Sequence, residues 1–165
     1  MAMPRTSPMW TIVNDFHIEK TRLPVVVVTT EGERLTGDLF VQSNARNPSG
    51  HEDAPDVLNA PEPYFPLGTL SGRVLLCAKS QVREMHIPRD DSASLEWVVG
   101  TRAEVAISLE GGHLVTGTIL IEQESARQRV LDFLNRLPHP FLAIYTAQGV
   151  VLVNRDFIIH VEQVS

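Results

Sequence analysis

Cysteine is nearly absent from this chain. Cys77 stands alone among 165 residues, which excludes an intramolecular disulfide and any metal cage built from thiolates. Long apolar runs are missing too. The run Val25–Val28 is far too short to cross a bilayer as a helix, and the opening MAMPRTSPMWTIVNDF lacks the apolar centre of a secretion signal. A cytoplasmic location is the expectation. Basic residues are the minority charge: 14 Lys+Arg against 20 Asp+Glu give a net charge of -6 and a pI near 5.5. A protein that grips phosphate backbones normally carries a basic face, so this balance disfavours nucleic acid as the main partner.

Signatures of chemistry are also wanting. No G-x-S-x-G elbow occurs. The only double glycine, Gly111-Gly112, sits between two strand-like segments and not before a helix, so it is a turn and no phosphate cradle. Cys77 lies in the apolar stretch Val74–Ala78, where an inert thiol is the usual outcome. The histidines are His17, His51, His86, His113, His139 and His160, with no pair at i, i+2 or i, i+4. His51-Glu52-Asp53 with Asp56 is the one local group of ligand types, and it reads as a solvated acidic loop. The carboxylate pairs Asp90-Asp91, Glu122/Glu124 and Asp53/Asp56 fall in linkers or loops with no apolar pocket in view. No enzyme, no cofactor and no metal centre is expected.

What the chain does contain is a repetition. Shifted by 80 residues, Thr21–Val41 overlies Thr101–Ile121, with Thr21/Thr101, Arg22/Arg102, Val25/Val105, Gly32/Gly112, Thr36/Thr116 and Gly37/Gly117 identical. Shifted by 76, Asp56–Met85 overlies Asp132–Val161 without a gap, matching Asp56/Asp132, Leu58/Leu134, Asn59/Asn135, Phe65/Phe141, Val74/Val150 and Leu76/Leu152. The change of offset falls in Gln42–Pro55, which has the composition of a loop, where insertions are tolerated. Two ordered blocks of this kind point to one module present twice.

Each copy reads as a hairpin, a connecting segment and three closing strands. Val105, Ile107 and Leu109 alternate with Ala106, Ser108 and Glu110, the period of a half-buried strand. Gly111-Gly112 supplies the turn, and the first copy turns near Glu31-Gly32. Gly37 and Gly117 recur inside the return strand, where glycine marks a bulge, a bend or close backbone packing. Ser125–Leu137 places Val130, Phe133, Leu134 and Leu137 on one helical face, and Asp56–Asn59 allows about one turn. The closing strands are predicted at Tyr64–Leu70, Arg73–Lys79 and Gln81–Ile87, and again at Phe141–Thr146, Val150–Asn154 and Phe157–Gln163.

The expected fold is mostly β: two tandem SH3-like, five-stranded small barrels with a short helix in the second copy. Residues 1–20 form an N-terminal extension in which Trp10, Ile12 and Phe16 could dock, 21–88 the first barrel, 89–95 a linker and 96–165 the second barrel. The unalternating Val25–Val28 demands cover on both faces. The halves are therefore expected to pair about a pseudo-two-fold axis, and the chain to self-associate and to bind protein partners through free strand edges.

The pattern V-x-V-x-x-x-x-G-x-x-x-x-G-x-L, met at Val25, Val27, Gly32, Gly37 and Leu39 and again at Val105, Ile107, Gly112, Gly117 and Ile119, resembles the Sm-like barrels of RNA-associated proteins. By that resemblance Asp56-Val57-Leu58-Asn59 and Asp132-Phe133-Leu134-Asn135 correspond to the loop that holds a base. The chain departs from the pattern in two ways. Long insertions precede both Asp residues, and Ala78-Lys79-Ser80 and Asn154-Arg155-Asp156 stand where the second motif has Arg-Gly. The candidate ligand-binding residues are Asp56, Asn59, Arg127, Arg129, Asp132 and Asn135. The competing reading makes the Asp and Asn side chains backbone caps and the arginines solvated. A non-enzymatic binding or scaffold role leads. RNA or nucleotide binding through the Asp-x-Leu-Asn loops is one alternative, and a sensor or enzyme with a site between the copies is another.

Overall fold

The computed structural model describes residues 20–42, 53–88, 101–121 and 130–164. Arg127, Arg129, the proposed linker 89–95 and the N-terminal extension with Trp10, Ile12 and Phe16 lie outside the described residues.

Among the described residues ten strands form where the alternating and β-branched segments predict them. In the first half these are β1 (Lys20–Thr29), β2 (Arg34–Gln42), β3 (Tyr64–Thr69), β4 (Val74–Ala78) and β5 (Val82–Pro88). In the second they are β6 (Thr101–Leu109), β7 (His113–Ile121), β8 (Phe141–Thr146), β9 (Gly149–Asn154) and β10 (Ile158–Gln163). A short helix follows each first hairpin: α1 (Ala54–Asn59) and α2 (Val130–Asn135). No helix among the described residues is long and apolar enough to cross a membrane.

All pairings are antiparallel. β1 and β2 pair with Val25 opposite Gly37, and β6 and β7 with Val105 opposite Gly117, the same register in both hairpins. Gly32 (φ 86°) and Gly111 and Gly112 (φ 89° and 76°) turn these hairpins with backbone angles that L-residues avoid. The glycines inside the return strands have a different reason to be there. A Cβ on Gly37 would stand 2.3 Å from the Gly68 carbonyl oxygen, and one on Gly117 would stand 2.5 Å from that of Tyr145. Each return strand thus bends over its neighbour at a distance only glycine permits.

The ten strands hydrogen-bond into one unclosed sheet in the order β10-β6-β7-β8-β9-β5-β1-β2-β3-β4. The mostly-β class is therefore as expected, whereas separate closure into two barrels is not what the pairing shows. Within each half the order is the same: β5-β1-β2-β3-β4 and β10-β6-β7-β8-β9. The halves meet where β9 pairs with β5, from Glu84 opposite Val153 to Pro88 opposite Gly149. This corrects the expected pseudo-two-fold. A two-fold would join like strand to like strand, but here the fourth strand of one half meets the fifth of the other, a head-to-tail relation.

Register also corrects the ungapped alignment. Tyr64 pairs with Ala78 and Phe141 with Asn154, while Asp38 faces Gly68 and Thr118 faces Tyr145. The partner of Phe141 is thus Tyr64, and that of Phe65 is Leu142. Burial agrees: Phe65 and Leu67 fill the first core, Leu142 and Ile144 the second. One residue gained before β8 is lost again in the β8–β9 turn, so Leu152 still corresponds to Leu76.

Two apolar clusters result. Val25, Val27, Leu39, Leu58, Phe65, Leu67 and Met85 build one; Val105, Ile107, Ile119, Ile121, Leu142 and Ile144 build the other. β9 serves both, with Leu152 in the first cluster and Val151 and Val153 in the second, as alternation across a strand dictates. Phe141 crosses over in the same way into the first cluster.

Candidate functional site

The polar side chains that structure brings together lie along the β9–β5 seam. Glu84 and His86 occupy alternate positions of β5 and so share its face. That face continues Val151 and Val153 of β9 toward the second half. The β6–β7 turn of the second half then delivers His113, the first residue of β7.

The geometry is close. His113 Nε2 lies 2.9 Å from Glu84 Oε1, and His86 Nε2 lies 3.4 Å from Oε2. The Arg83 guanidinium donates to Oε1 at 3.3 Å and to the Glu110 carbonyl oxygen at 3.4 Å. A Cβ on Gly111 would come 3.1 Å from Arg83 Nη1, so the turn leaves the arginine room. The Glu84 side chain is wholly buried, whereas His86 and His113 remain 33% and 38% exposed. Glu84 Oε2, His86 Nε2 and Arg83 Nε are buried without a hydrogen-bond partner. The His86–Oε2 approach has ion-pair distance but not the alignment of a hydrogen bond.

Burial pushes the Glu84 carboxyl upward, as removal from water penalises charge. The contact with His86 and the charges of His113, His86 and Arg83 outweigh it, and the net direction is down from the ordinary carboxylate value. An ionised carboxylate is thus sealed into the junction under two water-accessible imidazoles.

Further polar anchors hold the seam. Asn59, at the end of α1, accepts from the Phe141 backbone N–H at 2.9 Å and donates to the Phe141 carbonyl oxygen at 3.3 Å. Asn154 donates from Nδ2 to the Val82 carbonyl oxygen at 2.9 Å. A groove of about 450 Å³ opens beside Asn59, lined among others by Phe133, Arg136 and Tyr145.

The sequence-predicted residues separate on this structure. Asp56 accepts from the Asp53 backbone N–H at 2.9 Å and so caps α1. Asn59 ties the halves together. Asp132 and Asn135 occupy the matching positions of α2, where Asn135 is exposed. Arg127 and Arg129 lie outside the described residues. Glu84, His86 and His113 escaped the sequence reading. Glu84 and His86 share a strand face, but nothing local announces that His113 arrives from the other half. No protein-family model, curated protein or solved structure matches the chain.

Proposed function

We propose that this chain is a non-enzymatic scaffold, a tandem of two strongly bent small-barrel modules of the Sm-like or SH3-like kind. In this reading it assembles with copies of itself by pairing β10 of one chain with β4 of the next. The observation that carries the reading is burial at matched positions. Leu152 is fully buried at the seam, whereas its counterpart Leu76 on the free β4 edge is 73% exposed. Phe141 is 3% exposed and its counterpart Tyr64 59%. The free edges thus display the apolar residues that the internal seam conceals, and exposed apolar edges are docking surfaces.

The opposite edge fits. Copying the β9–β5 register onto β10 and β4 sets His160 opposite Cys77 and Val161 opposite Leu76 of a second copy. His160 then takes the place of Glu84, and Glu33 of the second copy takes that of His113. The carboxylate–imidazole pair of the seam is retained with its members exchanged. Ile159 on β10 and Val164 just beyond its end, both exposed, add apolar area at this edge. A head-to-tail contact of this sort closes into a ring or extends into a filament, depending on the rotation per step.

Light scattering during gel filtration tests the proposal, with a mass above one chain at micromolar concentration as the expected result. A direct probe is His160→Cys. Residues opposed in antiparallel strands have Cα atoms about 4.5–5.5 Å apart, within disulfide reach. With Cys77 the only natural thiol, mild oxidation should give covalent dimers and higher multimers. A wild-type monomer together with an uncrosslinked variant refutes the scaffold.

A further inference from the structure

We propose that Glu84, His86 and His113 form a binding site for a borderline transition-metal cation, of which Zn²⁺ is the type, that fastens the two halves of the chain together. The proposal is independent of self-assembly, because all three residues belong to one chain and meet at its internal seam.

Three ligand atoms, one from each residue, lie within 4.8 Å of one another. Around a tetrahedral zinc with bonds of about 2.0–2.1 Å, neighbouring ligand atoms stand roughly 3.3 Å apart. His86 Nε2 lies 3.4 Å from Glu84 Oε2, close to that value, while His113 Nε2 lies 2.9 Å from the other carboxylate oxygen, Oε1. The fold has already gathered the three side chains, and a cation would draw ligand atoms now up to 4.8 Å apart inward by no more than about 1.5 Å.

A second observation points to a ligand. Glu84 Oε2 and His86 Nε2 face each other while buried and without hydrogen bonds. Unsatisfied polar atoms in a sealed position carry a large desolvation cost, and a cation between them would remove it. The other carboxylate oxygen, Oε1, is approached by Arg83 at 3.3 Å and by His113 at 2.9 Å, which leaves Oε2, with His86 beside it, as the oxygen open to a cation toward which His113 would turn. Carboxylate ligands are commonly held in this way by a neighbouring donor.

Donor chemistry selects the cation. Two imidazoles and a carboxylate suit Zn²⁺, Ni²⁺ or Cu²⁺, while Ca²⁺ and Mg²⁺ prefer all-oxygen sites. Both histidine side chains keep part of their surface toward water, which places the cluster at the margin of the seam and not at its centre. Because β5 supplies two ligands and the β6–β7 turn the third, the bound ion would link the halves and resist their separation.

Chelator-stripped full-length protein dialysed against Zn²⁺, followed by elemental analysis, tests this. The expected result is about one seam-bound equivalent per chain, absent from His113→Ala and from Glu84→Gln, and unchanged in the control His139→Ala. Should either seam variant unfold by circular dichroism, His86→Gln at the half-exposed position serves instead. Substitution with Co²⁺ should give the intense visible absorption of a four-coordinate site in the wild type alone. Metal content that is zero in the wild type, or equal in the wild type and the folded seam variants, overturns the proposal. The histidines would then be simple ion-pair partners of Glu84.

Discussion

Leu76 on β4 and Leu152 on β9 hold the same place in the strand order of their halves, one exposed and one buried, and replacing each separates the proposed assembly from folding. A fully buried leucine contributes about 1.5–3 kcal/mol. Leu76 is nearly three-quarters exposed, so covering it by a second copy is worth about 2 kcal/mol, or roughly 30-fold in the dissociation constant of each contact. Leu76→Asp removes that gain and sets a charge against the incoming strand. In the isolated chain the same change touches almost nothing, and its effect on stability should stay within about 0.5 kcal/mol. Leu152→Ala instead opens a cavity in the first core and should cost about 2–5 kcal/mol. Sedimentation velocity across a concentration series reads the first effect, and urea unfolding at high dilution reads the second. A Leu76→Asp chain that unfolds like Leu152→Ala, or that keeps the wild-type association curve, refutes the reasoning.

Gly117→Ala and Gly37→Ala should each destabilise by about 1–3 kcal/mol in thermal unfolding, because the added methyl meets a carbonyl oxygen of the adjacent strand. Asn59→Ala leaves the Phe141 N–H without its partner across the seam and should cost about 1–3 kcal/mol by urea unfolding. Lys79 is buried, with its ammonium on the Ala60 carbonyl oxygen, and burial lowers its pKa from the ordinary 10.5. The fold then binds fewer protons than the unfolded chain between the two values. Stability relative to Lys79→Met should therefore rise with pH on the alkaline side as pH approaches 10.5, as denaturation midpoints would show. Burial also raises the Cys77 thiol, so disulfide-reagent labelling should be slow, and under the proposed β10–β4 assembly slower still as protein concentration rises.

The strands were legible because side-chain alternation and glycine turns are local signals. The two hairpins, with Gly37 and Gly117 opposite Val25 and Val105, could be placed from spacing alone. The alignment through Phe65 failed for a physical reason. A gain before β8 and a loss after it cancel within a dozen residues, and apolar strands match themselves at either register until burial decides. The relation between halves was illegible as well. Hydrophobic demand in Val25–Val28 says that cover is needed, but only hydrogen-bond pairing shows that the halves join through β9 and β5. Of the candidate residues, Asp56 kept the capping role that its residue type suggests. Asn59 acquired a bond 82 residues away that no local pattern encodes. The Glu84 cluster required the seam itself before it could exist.

The two kinds of junction would not be equally strong. Asn154 clasps the Val82 carbonyl across the internal one, while the matching position on the outer edge is Ala78, which has no side-chain donor. Because the internal joint also lies within one covalent chain, dilution would part any such array only at the joints between chains. The smallest piece released would always be a pair of modules, and growth or shrinkage would proceed in steps of two.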